Sequence, residues 1–430
     1  MYTLLFFAPQ WLRDKIPQSI GDAWVSNVIW PLIQIAIVFF VVLTIVAYLT
    51  LAERKISAWI QVRMGPMRVG PWGLLQPAAD GLKLLIKEDI MPLKADRAVF
   101  TIAPIITAVA AIVVLTVLPY GADWATITNI NIGLLFILAV SSVGVLGIIL
   151  GGWASNSKYP LLGALRSSAQ MVSYEVAMGL ALMGALMFSK TLSMYSIVEA
   201  QAKDQMWYVF YQPLGFIIYF ISALAETNRA PFDLPEAESE LTGGFHTEYS
   251  GFRFSLYFIG EYTSMFVVSS IAVTLFLGGW HFPFIGLLKE QDQTLYVLAS
   301  IVVFFAKVIL LLWAFMWFRW TFPRYRYDQL MDVGWKWLIP ATLANIVITG
   351  MLFIVGQELG FVQTTGDGRV EVVGVAGNAF MIGTAFLITI PATAILLSLI
   401  NRRTRDFNLR AQRQLQLRRR QERIAAGAGD

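Results

Sequence analysis

Nine stretches of about 20 predominantly apolar residues constrain this chain more than any other feature. Each is long enough to cross about 30 Å of hydrocarbon as a helix that rises about 1.5 Å per residue. Hydrophobic residues make up 57% of the chain and charged residues only 14%, which is unlike a soluble domain. The sequence therefore predicts an all-α polytopic membrane bundle of about nine transmembrane helices. The runs are 28–51, 98–120, 132–152, 168–188, 206–225, 254–278, 295–318, 337–356 and 379–400.

The composition also excludes several kinds of chemistry. The chain has no cysteine, so it holds no disulfide, thiolate nucleophile, cysteine-bound zinc or iron–sulfur cluster. Its two histidines, His246 and His281, lie in connections between the apolar runs, which rules out a bis-histidine haem within the bundle. The sequence shows no glycine-rich dinucleotide motif. We therefore expect no metal site, no NADH site and no redox centre in this chain.

The distribution of positive charge predicts the orientation of the bundle. Lysine and arginine are concentrated in alternate connections and in the tail, and basic connections remain in the cytoplasm. The first residues lack the basic flank and cleavage pattern of a signal peptide, so the first run is expected to direct insertion. The predicted parts are an external segment 1–27, one bundle 28–400 with cytoplasmic loops 52–97, 226–253 and 319–336, and a basic cytoplasmic tail 401–430, which we expect to contact anionic lipid or an acidic partner.

An amphipathic helix is predicted in the first cytoplasmic loop. Trp72, Leu75, Ala79, Leu82 and Ile86 recur every three or four residues, whereas the charged side chains of this stretch share another face. Such a helix lies along the membrane surface or docks on a partner there.

The second cytoplasmic loop is unusually acidic for so apolar a chain. It begins with AETNRAPFDLPEAESELTGGF, residues 225–245, where Pro231 and Pro235 forbid a continuous helix. The fifth span is therefore expected to end near Glu226. Irregular backbone near the membrane is tolerated where it is buried in protein or lines a wet cavity.

Three carboxylates are predicted at similar depth beneath this loop. Glu175 and Glu261 each lie about seven residues, or about 10 Å, into runs that enter from the cytoplasm, and Glu226 ends a third run. An ionisable residue at the centre of a span costs about 2.5–3.5 kcal/mol on insertion scales, so several together indicate a shared polar cavity. Clustered, partly desolvated carboxylates are suited to passing protons.

Other interpretations of single residues stay open at this stage. The loop acids are individually typical of solvated surface charges, and Glu226 with Arg229 is also consistent with an ion pair that closes the helix end. Lys307, inside the seventh run, is either a partner for an acid or a separate proton-path residue. Arginines mixed with aromatic residues in 319–336 are equally typical of a helix end anchored at the interface.

Four motifs, in this order along the chain, resemble one protein family. They are AERKISAWIQVRMGPMRVGPWGLLQPAADGLKLLIKED, AETNRAPFDLPEAESELTGGFHTEYSG, GEYTSM and RYRYDQLM. Together they resemble the H subunit of proton-translocating NADH:quinone oxidoreductase, respiratory complex I, whose mitochondrial homologue is NADH dehydrogenase subunit 1. The resemblance covers about residues 27–340 and leaves the first segment, the last span and the tail without an assigned role.

The resemblance implies a membrane subunit at the junction with the peripheral arm, in a prokaryotic plasma (inner) membrane. It implies that the chain forms most of the quinone access tunnel, with quinone as the substrate and NADH, FMN and iron–sulfur clusters confined to partner subunits. The partners would be the peripheral quinone-module subunits, small membrane subunits and antiporter-like subunits. The implied quinone-chamber residues are Arg54, Arg63, Asp80, Glu226, Arg229, Phe232, Arg319, Arg324 and Arg326. The implied proton or charge relay comprises Glu53, Glu175, Glu226, Asp233, Glu236, Glu238, Glu240, Glu248 and Glu261.

Three alternatives remain on the sequence alone. One is the membrane anchor of a related membrane-bound hydrogenase, which uses no quinone. Another is an autonomous ion/proton antiporter, suggested by Lys307 and the buried acids. The third is a passive scaffold whose acids bind a partner's arginines.

Overall fold

The computed structural model describes residues 29–233, 243–282, 292–364, 370–372, 374, 376–392, 394 and 398. Seven helices in this part of the chain are long and apolar enough to cross a membrane, and two shorter apolar helices account for the remaining predicted runs. The predicted all-α polytopic bundle is therefore confirmed, whereas its orientation stays a prediction.

The elements follow in chain order. The helices are α1 Trp30–Ile60, α2 Gln76–Ile86, α3 Arg97–Val114, α4 Gly133–Ala154, α5 Lys158–Ser189, α6 Met194–Asp204, α7 Tyr208–Tyr211, α8 Pro213–Glu226, α9 Gly251–Phe276, α10 Gln293–Thr321, α11 Tyr327–Val333, α12 Ile339–Glu358 and α13 Ala376–Ala392. A π-helical turn, Gly334–Leu338, joins α11 to α12, and short 3₁₀ turns lie at Pro71–Gly73, Asp123–Ala125 and Gly244–His246. Strands β1 Val362–Thr364 and β2 Val370–Val372 pair antiparallel after α12.

Small residues allow the helices of the bundle to approach closely. A Cβ added to Gly147 of α4 would lie 2.2 Å from Oγ1 of Thr107 on α3. One added to Gly151 would lie 2.1 Å from the hydroxyl of Tyr257 on α9. Helix association in lipid depends on such close backbone packing, because lipid tails provide no hydrophobic drive between helices.

The fifth predicted span is a broken helix. Its run 206–225 forms α7 and α8, separated at Gln212, and Pro213 begins the second piece. The Gln212 side chain donates to Thr349 Oγ1 at 2.7 Å and accepts from Asn345 Nδ2 at 2.7 Å, both on α12. A break at membrane depth is tolerated where neighbouring helices bury and satisfy the polar groups.

Three helices extend well beyond their predicted runs. Helix α1 continues to Ile60, although its apolar run ends at 51 and the loop was predicted to begin at 52. Helix α5 begins at Lys158, although the apolar run begins at 168, and has 32 residues. Helices α11 and α12 with the π-turn form one continuous segment, Tyr327–Glu358. All three extensions are polar or mixed in composition, and hydropathy alone does not detect helix outside the hydrocarbon. The depth of Glu175 was counted from residue 168, where the apolar run begins. It is therefore not the distance of Glu175 from Lys158, where α5 begins.

The predicted amphipathic helix is α2, which begins at Gln76 with Pro77 in its first turn. Ion pairing holds it against α1, because Arg54 Nη1 lies 2.6 Å from Asp80 Oδ2. None of its residues is buried in the chain, and Ile86 is 83% exposed. The apolar face is thus available to membrane or to another protein.

Candidate functional site

Glu53, Tyr262, Arg229 and Arg319 form a buried cluster, which we call the chamber cluster. The Tyr262 hydroxyl donates to Glu53 Oε2 at 2.6 Å, and Arg319 Nη1 donates to Glu53 Oε1. Arg229 Nη1 lies 3.7 Å from Glu53 Oε2, and its guanidinium stacks 4.3 Å from the Tyr262 ring centroid. Two guanidinium groups and a phenol therefore converge on one carboxylate that is only 6% exposed.

The turn that follows α8 places Arg229 in this cluster. Asn228 adopts a positive φ of 49°, a conformation that asparagine tolerates better than most residues. Its amide oxygen accepts from Ser167 Oγ at 3.4 Å, and Gln170 Nε2 donates to the carbonyls of Ala225 and Phe232, each at 2.8 Å. Helix α5 thus fixes both ends of the turn and holds Arg229 at 2% exposure.

A second ion pair lies beside the turn. Arg324 Nη2 donates to Asp233 Oδ2 at 2.9 Å. Phe232, which is buried, stacks on Tyr325 with ring centroids 5.6 Å apart, and the Tyr325 amide donates to the Pro231 carbonyl at 3.1 Å. Burial raises the pKa of Tyr325, so its phenol stays protonated at neutral pH. These contacts join the segment after α10 to the start of the acidic loop.

The membrane carboxylates Glu175, Glu226 and Glu261 form a separate group. Ser142 Oγ of α4 donates to Glu175 Oε1, and Glu175 lies near enough to Glu226 for their charges to interact. Oε2 of Glu226 is buried and has no hydrogen-bond partner among the described residues. Buried polar atoms in proteins are nearly always satisfied, so this oxygen requires a water or a proton.

The Glu226 carboxylate lines a cavity of about 50 Å³ between α3, α4, α5, α8 and α9. Three hydroxyl residues, Thr107, Ser141 and Ser264, line it as well. A water needs about 15 Å³ of accessible volume and two to four polar partners, so this cavity has room for about three waters. Glu261 lies three residues before Ser264, on the same face of α9.

Two short pieces of chain connect the chamber cluster to the membrane carboxylates. Glu226 faces the cavity, and Arg229, three residues later, reaches Glu53. On α9, Tyr262 contacts Glu53 while its neighbour Glu261 lies on the face that carries Ser264. The two Glu53 partners Arg229 and Tyr262 are thus only three residues and one residue, respectively, from the carboxylates Glu226 and Glu261 along the chain.

The structure does not bring every predicted residue into this site. Arg54 and Asp80 pair on α1 and α2, and Arg63 lies in an exposed turn where its Nε donates to Gln61 Oε1 at 2.7 Å. Arg326 is exposed at the start of α11, and Glu248 is half-buried before α9 and makes no ion pair with a described residue. The three loop acids Glu236, Glu238 and Glu240 lie outside the described residues.

Sequence reasoning missed three contributors. Tyr262 is the direct partner of Glu53, Ser142 the partner of Glu175, and Gln170 the support of the turn. Tyr262 lies within the GEYTSM motif, next to Glu261, which was the available signal. Ser142 and Gln170 carry no such signal, because their roles depend on which helices are neighbours.

Lys307 lies far from the carboxylates. Its ammonium donates to the backbone carbonyls of Leu277 at 2.6 Å, Gly279 at 2.9 Å and His281 at 2.6 Å. The ring of Trp207 lies 4.6 Å from Nζ. An ammonium has three donors, and here each has a carbonyl acceptor. Neither of the sequence-based roles for Lys307 describes this arrangement.

These features define a polytopic helical membrane protein with a buried carboxylate–guanidinium cluster beside a group of membrane carboxylates. Residues 33–350 match the NADH dehydrogenase family. The chain is 50% identical over 331 residues to H subunit 1 of the NADH-quinone oxidoreductase of Geobacter metallireducens, covering 75% of this chain and 96% of that protein. It is 48% identical over 328 residues to H subunit 2 of the Rhizobium meliloti enzyme, covering 74% and 96%. It is 46% identical over 369 residues to H subunit 2 of the Solibacter usitatus enzyme, covering 73% of this chain and 94% of that protein.

The chain therefore belongs to the NADH dehydrogenase family, among the H subunits of NADH-quinone oxidoreductase, complex I.

Proposed function

We propose that this chain is the complex I membrane subunit at the junction with the peripheral arm, that it forms most of the quinone tunnel, and that it couples quinone reduction to proton translocation. Membership of the H-subunit family supports the coarse assignment. The chain lies in a prokaryotic plasma membrane as a multi-pass protein. Its partners are the peripheral quinone-module subunits, the small membrane subunits and the antiporter-like subunits.

The observation that carries the proposal is the short connection between the two acidic groups. Arg229 contacts Glu53 in the chamber cluster, and Glu226, three residues earlier, presents a buried oxygen to the cavity beneath it. In a passive scaffold we would expect each carboxylate oxygen to be exposed to water or, if buried, to be hydrogen-bonded.

In the chamber, quinone takes up two electrons from a partner subunit and two protons to become quinol. Negative charge that develops on the quinone oxygens attracts the guanidinium groups of Arg229 and Arg319. Their attraction to Glu53 then weakens, and the Tyr262 hydroxyl, which donates to Glu53, is a proton donor within the same cluster. In this proposal NADH, FMN and the iron–sulfur clusters belong to partner subunits, and the lack of cysteine in this chain supports that assignment for the clusters.

The membrane carboxylates respond to that change. In a site of low dielectric the charge of one carboxylate strongly affects proton binding at the next, so a proton lost from Glu226 biases Glu175 and Glu261. Waters in the cavity would carry protons between Glu226 and the hydroxyls of Ser141 and Ser264. The family resemblance assigns the loop acids Asp233, Glu236, Glu238, Glu240 and Glu248 to the same relay.

The test replaces Glu226 or Glu261 by glutamine in the assembled complex. Quinone reduction and proton pumping in proteoliposomes should fall together, on the order of 100-fold, the usual effect of removing a proton-transfer group. The matched control is Glu199→Gln, because Glu199 is an exposed carboxylate on α6 at the opposite end of the bundle. Normal turnover and normal proton stoichiometry in both variants would refute the relay.

The alternatives have distinct outcomes in the same preparation. A hydrogenase anchor would copurify with a nickel–iron subunit rather than with an NADH-binding flavoprotein. A scaffold would lose assembly rather than turnover in the glutamine variants. An autonomous antiporter would exchange ions when the chain is reconstituted alone, but the contacts of Lys307 give that alternative no support.

A further inference from the structure

A second cavity lies at the opposite end of α1 from Glu53. Its volume is about 220 Å³, and it runs between α1, α10 and the segment that follows α3. We call it the lateral groove. Its walls are Trp30, Gln34, Ile37, Val38, Val41 and Val42 of α1, Ile301 and Phe305 of α10, and Tyr120, Trp124, Ala125 and Ile127 of the connecting segment.

The groove has the depth of one membrane leaflet. On α1 it extends from Trp30 to Val42, 12 residues or about 18 Å at about 1.5 Å per residue. On α10 its deepest residue, Phe305, is 12 residues from the helix start at Gln293, again about 18 Å. One leaflet contributes about 15 Å of the hydrocarbon core. Both distances are comparable with the thickness of one leaflet.

The groove is apolar and open to lipid. Ile37 is 56% exposed and Val41 38%, so the α1 wall faces the surrounding membrane. At the floor, Tyr120 and Phe305 stack with ring centroids 6.0 Å apart. No charged side chain of the described residues lines it. A neutral hydrocarbon chain is the occupant that such walls accept.

One of the two polar groups at the shallow end of the groove has no hydrogen-bond partner among the described residues. The Gln34 amide donates to the Trp124 carbonyl at 3.0 Å. The indole N–H of Trp30 is buried, lines the groove and has no acceptor among the described residues. Tryptophan is enriched at the membrane interface, where the ester carbonyls of phospholipids lie. A buried donor without an acceptor is unfavourable, and a lipid ester carbonyl would satisfy it.

We propose that the lateral groove binds one acyl chain of a phospholipid from the leaflet opposite the chamber cluster, with an ester carbonyl of that lipid accepting from Trp30 Nε1. The volume of about 220 Å³ suits a single hydrocarbon chain. The indole supplies a neutral donor, and none of the described residues that line the groove is a cation that would select a charged headgroup.

The experiment uses membranes that contain the full chain and a phospholipid with a photoactivatable diazirine in the middle of one acyl chain. After illumination, peptide mass spectrometry should find label on groove residues, foremost Val38 and Ile301. Val38→Trp fills the groove and should remove the Ile301 label. Leu310, which is 62% exposed on the same helix outside the groove, is the internal control and should be labelled equally in both proteins.

A milder variant keeps the test valid if Val38→Trp does not fold. Trp30→Phe retains the ring and removes the donor, and should lower groove labelling about fivefold, the equivalent of about 1 kcal/mol for one neutral hydrogen bond. Label at Leu310 without label in the groove would overturn the proposal. Label on residues 1–27 in place of the groove would overturn it too, because that segment would then occupy the site.

Discussion

Glu226 and Lys307 are both ionisable side chains in apolar helices, yet their hydrogen bonding is opposite. The Lys307 ammonium has three carbonyl acceptors at 2.6–2.9 Å. Glu226 has a buried oxygen without a partner among the described residues, and it faces a cavity. Composition and depth make both residues candidates for proton transfer. The difference teaches that two ionisable residues with the same signal in the sequence can differ completely in how far their hydrogen bonds are satisfied, and we use that difference to propose which one transfers protons.

Lys307 acts as a cap for a neighbouring helix. The carbonyls it binds follow the end of α9, in a turn where Gly278 and Gly279 have positive φ values of 73° and 53°. A helix leaves its last carbonyls unpaired, and its dipole favours a cation at that end. A lysine from α10 supplies both the donors and the charge. The three hydrogen bonds are consistent with a structural role for this lysine.

The largest expected effect is the loss of this cap. Lys307→Met should lower the free energy of unfolding by about 3 kcal/mol, because three carbonyls lose their donor at about 1 kcal/mol or more each. Thermal unfolding of the purified chain measures it, with Lys203→Met on the exposed face of α6 as the control. Unchanged stability would show that water replaces the ammonium. Lys307 would then not be a structural charge, and the contrast with Glu226 would fail.

A smaller effect is expected at the chamber cluster. Tyr262→Phe removes the hydroxyl that donates to Glu53 at 2.6 Å, a hydrogen bond to a charged group that is worth about 1.5–3 kcal/mol. Quinone reductase activity of the assembled complex should fall at least about tenfold. Tyr257→Phe is the matched control, because Tyr257 lies on the same helix and its hydroxyl bonds the neutral Gly147 carbonyl, at 3.4 Å, and the Tyr249 hydroxyl rather than a carboxylate. Equal losses in both variants would mean a packing effect.

The Lys307 region should also respond weakly to pH through His281. Burial, and then the charge of Lys307, lower the pKa of His281 below its ordinary value of about 6.5. The unfolded chain therefore binds a proton more readily than the folded one. Stability should be fully present above about pH 6.5 and should decrease as the pH falls from there toward the lowered pKa.

The size of this pH effect is less than about 1 kcal/mol, because His281 is only partly buried and solvent screens its charge. Thermal unfolding between about pH 7.5 and about pH 5.5 measures it. In His281→Gln the decrease attributable to this residue should vanish. A decrease of the same size in that variant would assign it to another group.

The smallest expected effect is on stability at Glu226. Glu226→Gln should leave the free energy of unfolding within about 0.5 kcal/mol of the parent, because the buried oxygen has no partner to lose and the amide has the same shape. The same variant should lose turnover, as proposed above. A marked loss of stability instead would place Glu226 with Lys307 among the structural charges.

Much of the fold follows from the sequence because a membrane leaves few choices. Every backbone group in hydrocarbon must be paired internally, so each apolar run of sufficient length becomes a helix. The break between α7 and α8 was missed because Gln212 is satisfied by α12, 133 residues away in sequence at Asn345. The early start of α5 was missed because hydropathy reports lipid contact and not helical structure.

The site could be predicted in its residue types but not in its pairings. Carboxylates and arginines stood out against an apolar background, which identified Glu53 and Arg229 through the motifs that contain them and Arg319 through the basic and aromatic stretch 319–336. Their convergence on one carboxylate depends on α1, the turn after α8 and α10 lying side by side. Likewise, no local pattern could assign the carbonyl partners of Lys307, which come from another helix.

The length of α5 determines where this site lies relative to the dielectric boundary. Its 32 residues span about 48 Å, against about 30 Å of hydrocarbon. Tilt alone would have to reach about 50° to accommodate it, beyond the range of about 0–40° seen in membrane helices, so part of α5 stands outside the lipid. Because the apolar run of α5 begins at residue 168, we expect the turn from Thr227 to Arg229, held by Ser167 and Gln170 of this helix, to lie near the boundary where permittivity changes steeply. A charge shifted across that gradient changes its solvation energy greatly, even when the movement is small.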